Sequence, residues 1–440
     1  MKNIVIKNGK IVDGTGNPWY RADVGIQDGR IADIEHLNEA EYSRSFDAKD
    51  LIVCPGFIDM HTHSDWTLPY NPTADSHIMQ GITTDVVGNC GMSTAPLTER
   101  AHKIMDRRME YYKIEYDWTN MAGYLASLER KRVSINVAPL IGQSSVREAL
   151  LGMDSRPPTH KEMEEMKEII REAMEAGVFG MSTGLFYTPG GYASTCEIIQ
   201  LARVVAEHGG IYSTHMRGEC DRLIPAIKEA IEIAESAVLP VHISHFKAMG
   251  ESNWGMATGP GWRLIRQARE RGVDVTLDAY AWTAGVTSLW DFFPYWAQEG
   301  GPDKLVERLK DPEAREKIKI EMRIGTPERE TQPGNVGWDH EIIASSEKHP
   351  EYEGKSFVQV AEEQGKDPLE FAIGLFVEDQ EIGTIDHWGR EEDLKEVMNL
   401  PVFMLGSDSS ALQPSGCMKE HLVHPRTYGN VPEYLGTCVR

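Results

Sequence analysis

From Leu51 onward the chain alternates between short apolar runs and longer stretches with apolar residues at three and four spacing, and this rhythm restricts the fold more than any other feature. The strand-like runs fall at 56–60, 83–88, 133–140, 178–183, 210–214, 239–244, 273–279 and 402–406. Between them lie amphipathic segments such as "KEMEEMKEIIREAMEA" and "LIPAIKEAIEIAES", which read as helices with one apolar face. Strand, helix, strand, repeated, implies a parallel sheet. About eight such units predict a (β/α)8 TIM barrel, whose sites lie at the C-terminal ends of the strands.

The first fifty residues have a different texture. "NIVIKNGKIVDG" and "DVGIQDGRIADI" are alternating runs joined by Asn-Gly and Asp-Gly turns, the chemistry of antiparallel hairpins. The expectation is a small β domain over 1–50 and a catalytic barrel over 51–440. The stretch from about 282 to 400 is longer than one crossover requires. It predicts a subdomain inserted before the last strand, at about 288–345, lying over the site as a lid.

The strand ends carry metal-capable side chains. His61 and His63 follow the first run in "FIDMHTHSD", and residues two apart on a strand face the same side. Cys90 follows the second run, His215 the fifth, His245 the sixth and Asp408 the eighth. Any one of these fits a hydrogen-bonded histidine or a buried thiol, but all of them share one rim of the barrel. Together they suffice for one or two zinc-like ions, given that a catalytic zinc takes three protein ligands and an open position. His242, three residues before His245, faces the other way and reads as structural.

Composition narrows the partners. A net charge of −23 over 440 residues opposes nucleic acid and anionic membrane, leaving a small-molecule substrate. No apolar stretch approaches the roughly 20 residues of a membrane span, and "MKNIVIKNGK" lacks the form of a signal peptide. The expectation is a cytoplasmic protein. The cysteines at 54, 90, 196, 220, 417 and 438 show no short pairing and read as free thiols.

The segments "GFIDMHTHSD", "GITTDVVGNCG", "STGLFYTPGGYAS", "YSTHMRGE", "ISHFK", "DAY", "YEGKSFVQVAEEQGKDP", "GSDSS" and "HPRTYG" resemble, in order along nearly the whole chain, the D-aminoacylase (N-acyl-D-amino-acid deacylase) branch of the metal-dependent amidohydrolases. The resemblance implies a barrel with a small β-sandwich-like domain and an insertion. It implies that Cys90, His215 and His245 hold one Zn2+ tightly, while His61, His63 and Asp408 line a second, weaker site. Asp408 would be the general base and acid, and Lys247, Tyr187 and Tyr280 would contact a substrate bearing a carboxylate. The implied reaction is zinc-dependent hydrolysis of N-acyl-D-amino acids to a carboxylate and a free D-amino acid.

The chain departs from that pattern in places. Trp282 and Val286 stand where the family carries a tyrosine and a serine, with Thr287 adjacent, and Ser409 follows Asp408 in place of glycine. A lost hydroxyl removes a hydrogen bond worth about 1 kcal/mol or more in a dry site, which keeps open an amidohydrolase acting on another linear or cyclic amide or a dipeptide-like bond. Family members also continue past the position of Arg440. The matching expectations are a small β domain without its C-terminal portion, exposed strand edges that favour a homo-oligomer, and, as the non-catalytic alternative, a metal-binding or truncated inactive product.

Overall fold

The computed structural model describes residues 2–97, 116–414 and 423–439. The chain divides into a compact unit over 1–57 and a larger one over 58–440.

In the first unit, β1 (Lys2–Ile11), β2 (Tyr20–Gln27), β3 (Arg30–Glu35), β4 (Tyr42–Asp47) and β5 (Ile52–Val53) form a five-stranded sheet. The two hairpins are antiparallel as their turns require, but β4 and β5 both run parallel to β1. The sheet is therefore mixed rather than antiparallel. Its chain reversal is held by Asp23, 2% exposed, whose carboxylate accepts from Lys7 Nζ at 2.6 Å and from the amides of Asn8 at 2.8 Å and Leu37 at 2.9 Å. The unit also runs past residue 50, because β5 pairs with β1.

The barrel strands of the second unit are β6 (Phe57–Asp59), β7 (Ile82–Val87), β8 (Asn136–Gly142), β9 (Gly180–Gly184), β10 (Ile211–His215), β11 (Val241–Ile243), β12 (Val275–Ala279) and β16 (Phe403–Leu405), neighbours in that order in one eight-stranded sheet. Each lies within a few residues of an expected run. Beyond the strands proper, Met60 N donates to Leu405 O at 3.0 Å, Asp408 N to His61 O at 2.8 Å and His63 N to Ser409 O at 2.8 Å. These bonds close the ring between β6 and β16 and set the first and last predicted ligands side by side.

Helices pack around the strands for the expected reason. In His160–Glu175 the buried residues Met163, Met166, Ile170, Ala173 and Met174 form one face, and Thr159 and Glu162 make a capping box at the start.

Between β12 and β16 lies the insertion. Its sheet, β13 (Ala284–Ser288), β14 (Glu341–Ser345) and β15 (Gly383–His387), is antiparallel in the order β13-β15-β14. A separate core, with Phe293, Leu305, Ile318, Phe357 and Phe376 all at 0% exposure, packs its helices. The insertion thus extends well past the expected limits of 288–345, because the strand that pairs β13 with β14 returns only at 383–387.

Replacing Asp23 with Ala would leave the amides of Asn8 and Leu37 without their acceptor and Lys7 Nζ with only Leu37 O, at 2.6 Å, at a cost of about 1–3 kcal/mol. Hydrogen exchange should then speed up in β1 and β4. Unchanged protection of those amides would contradict the assigned role.

Candidate metal centre

Every predicted ligand arrives at the rim. His61, His63, Cys90 and Asp408 bring donor atoms within 4.8 Å of one another, and Cys90, His215 and His245 form a second such group that shares the thiol. Cys90 Sγ lies 3.3 Å from His61 Nε2, 3.8 Å from His215 Nδ1 and 3.6 Å from His245 Nε2. Asp408 Oδ1 lies 3.5 Å from His61 Nε2 and 3.2 Å from His63 Nε2. A tetrahedral zinc with ordinary Zn–S and Zn–N lengths has ligand-to-ligand edges of about 3.3–3.6 Å. The donor set therefore fits such an ion, and Cys90 belongs to both groups rather than to one.

Local backbone makes this convergence possible. Cys90, His245 and Asp408 all adopt positive φ, at 53°, 34° and 50°, a conformation costly for residues with a Cβ and typical of sites where geometry is imposed. The Cys90 loop also crosses close to neighbouring strands. A Cβ on Gly88 would meet Leu140 O at 2.1 Å, and one on Gly184 would meet Cys90 O at 2.1 Å, so glycine is required on both sides.

The electrostatics call for a cation. Burial would raise the Cys90 thiol, but His61 and the other two imidazoles bring it well below the thiol range. Burial likewise opposes ionisation of Asp408, yet Arg426 and then His63 hold it well below the carboxylate range. Against burial, Cys90 and Asp278 lift His61 well above the ordinary imidazole value, and Asp408 and Cys90 lift His63 to about 9. Two anions at the centre thus attract positive charge, which is what a divalent ion supplies.

An outer layer holds the ligands, and sequence reasoning missed most of it. Glu219 accepts from His245 Nδ1 at 2.8 Å, pairs with Lys247 Nζ at 2.7 Å and lies 3.8 Å from His215 Nε2. Asp278 takes the amide of His245 at 2.8 Å, His242 Nε2 at 2.7 Å, and stands 3.4 Å from His61 Nδ1. Such partners orient metal-binding imidazoles and select their tautomer. His242, read as structural, braces Asp278 and also bonds Thr276 Oγ1 at 2.8 Å. Arg426, 4% exposed, lies face-on to Tyr280 at 4.4 Å, with its Nη1 3.0 Å from Asp408 Oδ2. That contact is an ion pair without hydrogen-bond alignment, and both Nε and Nη1 of Arg426 are buried without an acceptor.

A cleft of about 410 Å³ opens above the donors, and Lys247, Tyr187 and Tyr280 all line it. Tyr187 stands edge-on to His215 at 4.6 Å. Lys247 is buried and already neutralised by Glu219, which keeps it charged despite burial. The insertion supplies one wall through Val286, Thr287, Glu330, Gln332, Asp386 and neighbouring residues. Val286 is 42% exposed there, and the Thr287 hydroxyl donates to Asp291 Oδ2 at 3.0 Å, so it does not stand in for the missing serine. Cys54, Cys90, Cys196 and Cys220 are free thiols among the described residues; Cys417 and the Cys438 side chain lie outside them. Among the described residues no helix is long and apolar enough to cross a membrane.

Comparison with known proteins places the chain in a family. The model of the amidohydrolase family matches residues 44–295. A D-aminoacylase from Alcaligenes xylosoxydans xylosoxydans is 33% identical over 442 residues, covering 100% of this chain and 79% of that protein. The crystal structure of N-acyl-D-glutamate deacylase from Bordetella bronchiseptica, complexed with zinc and a phosphonate mimic of the tetrahedral intermediate, superposes with a TM-score of 0.78 at 31% identity, covering 99% of this chain and 80% of that one. A D-aminoacylase structure concerned with its binuclear metal centre gives 0.77 at 29% identity, with the same coverage. The chain belongs to the amidohydrolase family, in its D-aminoacylase branch.

His424, buried beside Arg426, provides a pH test. Burial, with Arg426 adding to it, lowers its imidazole from the ordinary 6.5 to about 3. Between those values the unfolded chain binds a proton that the folded chain refuses, so stability is complete above about pH 6.5 and declines as pH falls toward 3. His424→Asn should flatten that slope by one proton. An unchanged slope would contradict the assignment.

Proposed function

We propose that this protein hydrolyses the amide bond of N-acyl-D-amino acids, releasing a carboxylic acid and a free D-amino acid. The observation that carries the reading is the pair of donor groups sharing Cys90, with Asp408, at 14% side-chain exposure, lining the cleft. The relatives of known activity in this branch, a D-aminoacylase and an N-acyl-D-glutamate deacylase, support it.

Cys90, His215 and His245 would hold one zinc firmly, and His61, His63 and Asp408 would line the second position, with Cys90 placed to reach both. Zinc supplies Lewis acidity toward an amide carbonyl and acidifies water near neutral pH. Asp408, kept ionised by Arg426, accepts the proton of the attacking water and returns it to the leaving amine nitrogen. Oδ1 is the Asp408 oxygen that faces the donors, 3.2 Å from His63 Nε2 and 3.5 Å from His61 Nε2, so the proton moves there.

Binding follows from donors that lack acceptors. Trp388 lines the cleft with its indole nitrogen buried and unpaired, and Arg426, whose Nε is likewise unpaired, packs on the lining residue Tyr280, which is costly unless a ligand oxygen completes such donors. Arg426, with Lys247 and Tyr280, therefore suits the substrate carboxylate, and Tyr187 packs beside the acyl end.

Purified protein should hydrolyse N-acetyl-D-methionine in strong preference to the L enantiomer and to cyclic amides. Asp408→Asn should lower kcat by about 10²–10⁴-fold while the metal at Cys90, His215 and His245 is retained. Preference for the L form, or an active Asp408→Asn protein, would contradict the reading.

A further inference from the structure

We propose that Glu330, contributed by the insertion, is a positioning residue for the metal centre and acts through Glu219. This rests on the metal-site assignment above but not on the identity of the substrate.

Glu330 is 6% exposed and reaches from the insertion onto the loop that follows β10. Its Oε1 accepts from the amides of Glu219 at 2.6 Å and Cys220 at 3.0 Å, and its Oε2 from those of Cys220 at 3.0 Å and Arg222 at 3.1 Å. These amides precede the helix Leu223–Ala237, where backbone N–H groups otherwise lack acceptors. One side chain from more than a hundred residues away in sequence thus fixes the backbone of Glu219. The Glu219 carboxylate in turn accepts from His245 Nδ1 and pairs with Lys247. For His245 to offer Nε2 to a metal, its proton must sit on Nδ1; the Lys247 ammonium, 3.0 Å from that nitrogen, opposes this tautomer, and Glu219 favours it by accepting at 2.8 Å while drawing Lys247 Nζ to its other oxygen at 2.7 Å.

The neighbouring residue anchors the same segment. The Arg329 guanidinium lies between the rings of Phe186 and Tyr295, at 4.4 and 4.5 Å, and Phe186 stacks on His215 at 5.9 Å. Glycine at 218 gives the carboxylate room, since a Cβ there would stand 2.7 Å from Glu330 Oε2. The insertion is therefore a brace for the imidazole side of the site as well as a wall of the cleft.

The test is titration of the full-length, metal-free protein with cobalt(II) alone, for the wild type, Glu330→Gln, Glu219→Gln and the double variant. Glu330→Gln should weaken cobalt binding about 10–100-fold in metal-free protein that melts lower than the wild type, because the buried amides lose an acceptor, but is still cooperatively folded at the titration temperature. The double variant should bind no more weakly than Glu219→Gln. Binding by a folded Glu330→Gln protein within about twofold of wild type, or losses that simply add, would overturn the proposal. Should Glu330→Gln not fold, Glu330→Asp carries the test: it keeps the charge but falls one methylene short of the three amides, and wild-type cobalt affinity in that variant would equally overturn the proposal. Wild-type protein that binds cobalt but leaves N-acetyl-D-methionine intact would count against the substrate assignment alone.

Discussion

A thiolate set among three imidazoles is the contact on which the site depends. Cys90 Sγ lies 3.3–3.8 Å from His61, His215 and His245, so one sulfur joins residues from the first, fifth and sixth barrel strands. The short β6 and β11 strands, the positive φ values and the glycines at 88 and 184 all serve that convergence. Strain at His245 and Asp408 is opposed by contacts from outside the cluster: hydrogen bonds from the His245 amide to Asp278 and from its ring to Glu219, and the ion pair of Arg426 with Asp408. Charge on the ligands and rigidity around them come from the same few residues.

The charge distribution makes an anionic ligand compatible with an acidic protein. A net charge of −23 repels anions at long range, but screening confines that field to about a Debye length. Inside the cleft the local balance decides. Glu219 is matched by Lys247 and Asp408 by Arg426, leaving guanidinium and indole N–H groups as the unmet demand.

Barrel strands and the convergence of six candidate ligands on one rim were legible because both depend on local pattern. An apolar run ending in a histidine, cysteine or aspartate marks a strand and its rim position at once, and the period of two separated His242 from His245. Asp278 carried a comparable signal, a carboxylate inside the apolar run "VTLDAY", and could have been found by asking what a buried charge there would bond. Glu219, Arg426 and Glu330 could not be read this way, since their partners lie far off in sequence and their own segments have no period. The parallel return of β4 onto β1 was hidden for a similar reason: it rests on Asp23 reaching a loop, while the turn dipeptides speak only for hairpins. The insertion was underestimated because its closing strand, β15, comes after several helices.

Metal content per chain, measured on the wild type and on Cys90→Ala, tests the central claim most directly. The expected result is about one zinc or more per wild-type chain, falling toward zero in a variant that remains folded, because Cys90 is the donor common to both groups. Folded wild-type protein that binds no zinc, or a Cys90→Ala protein that retains its full complement, would contradict it.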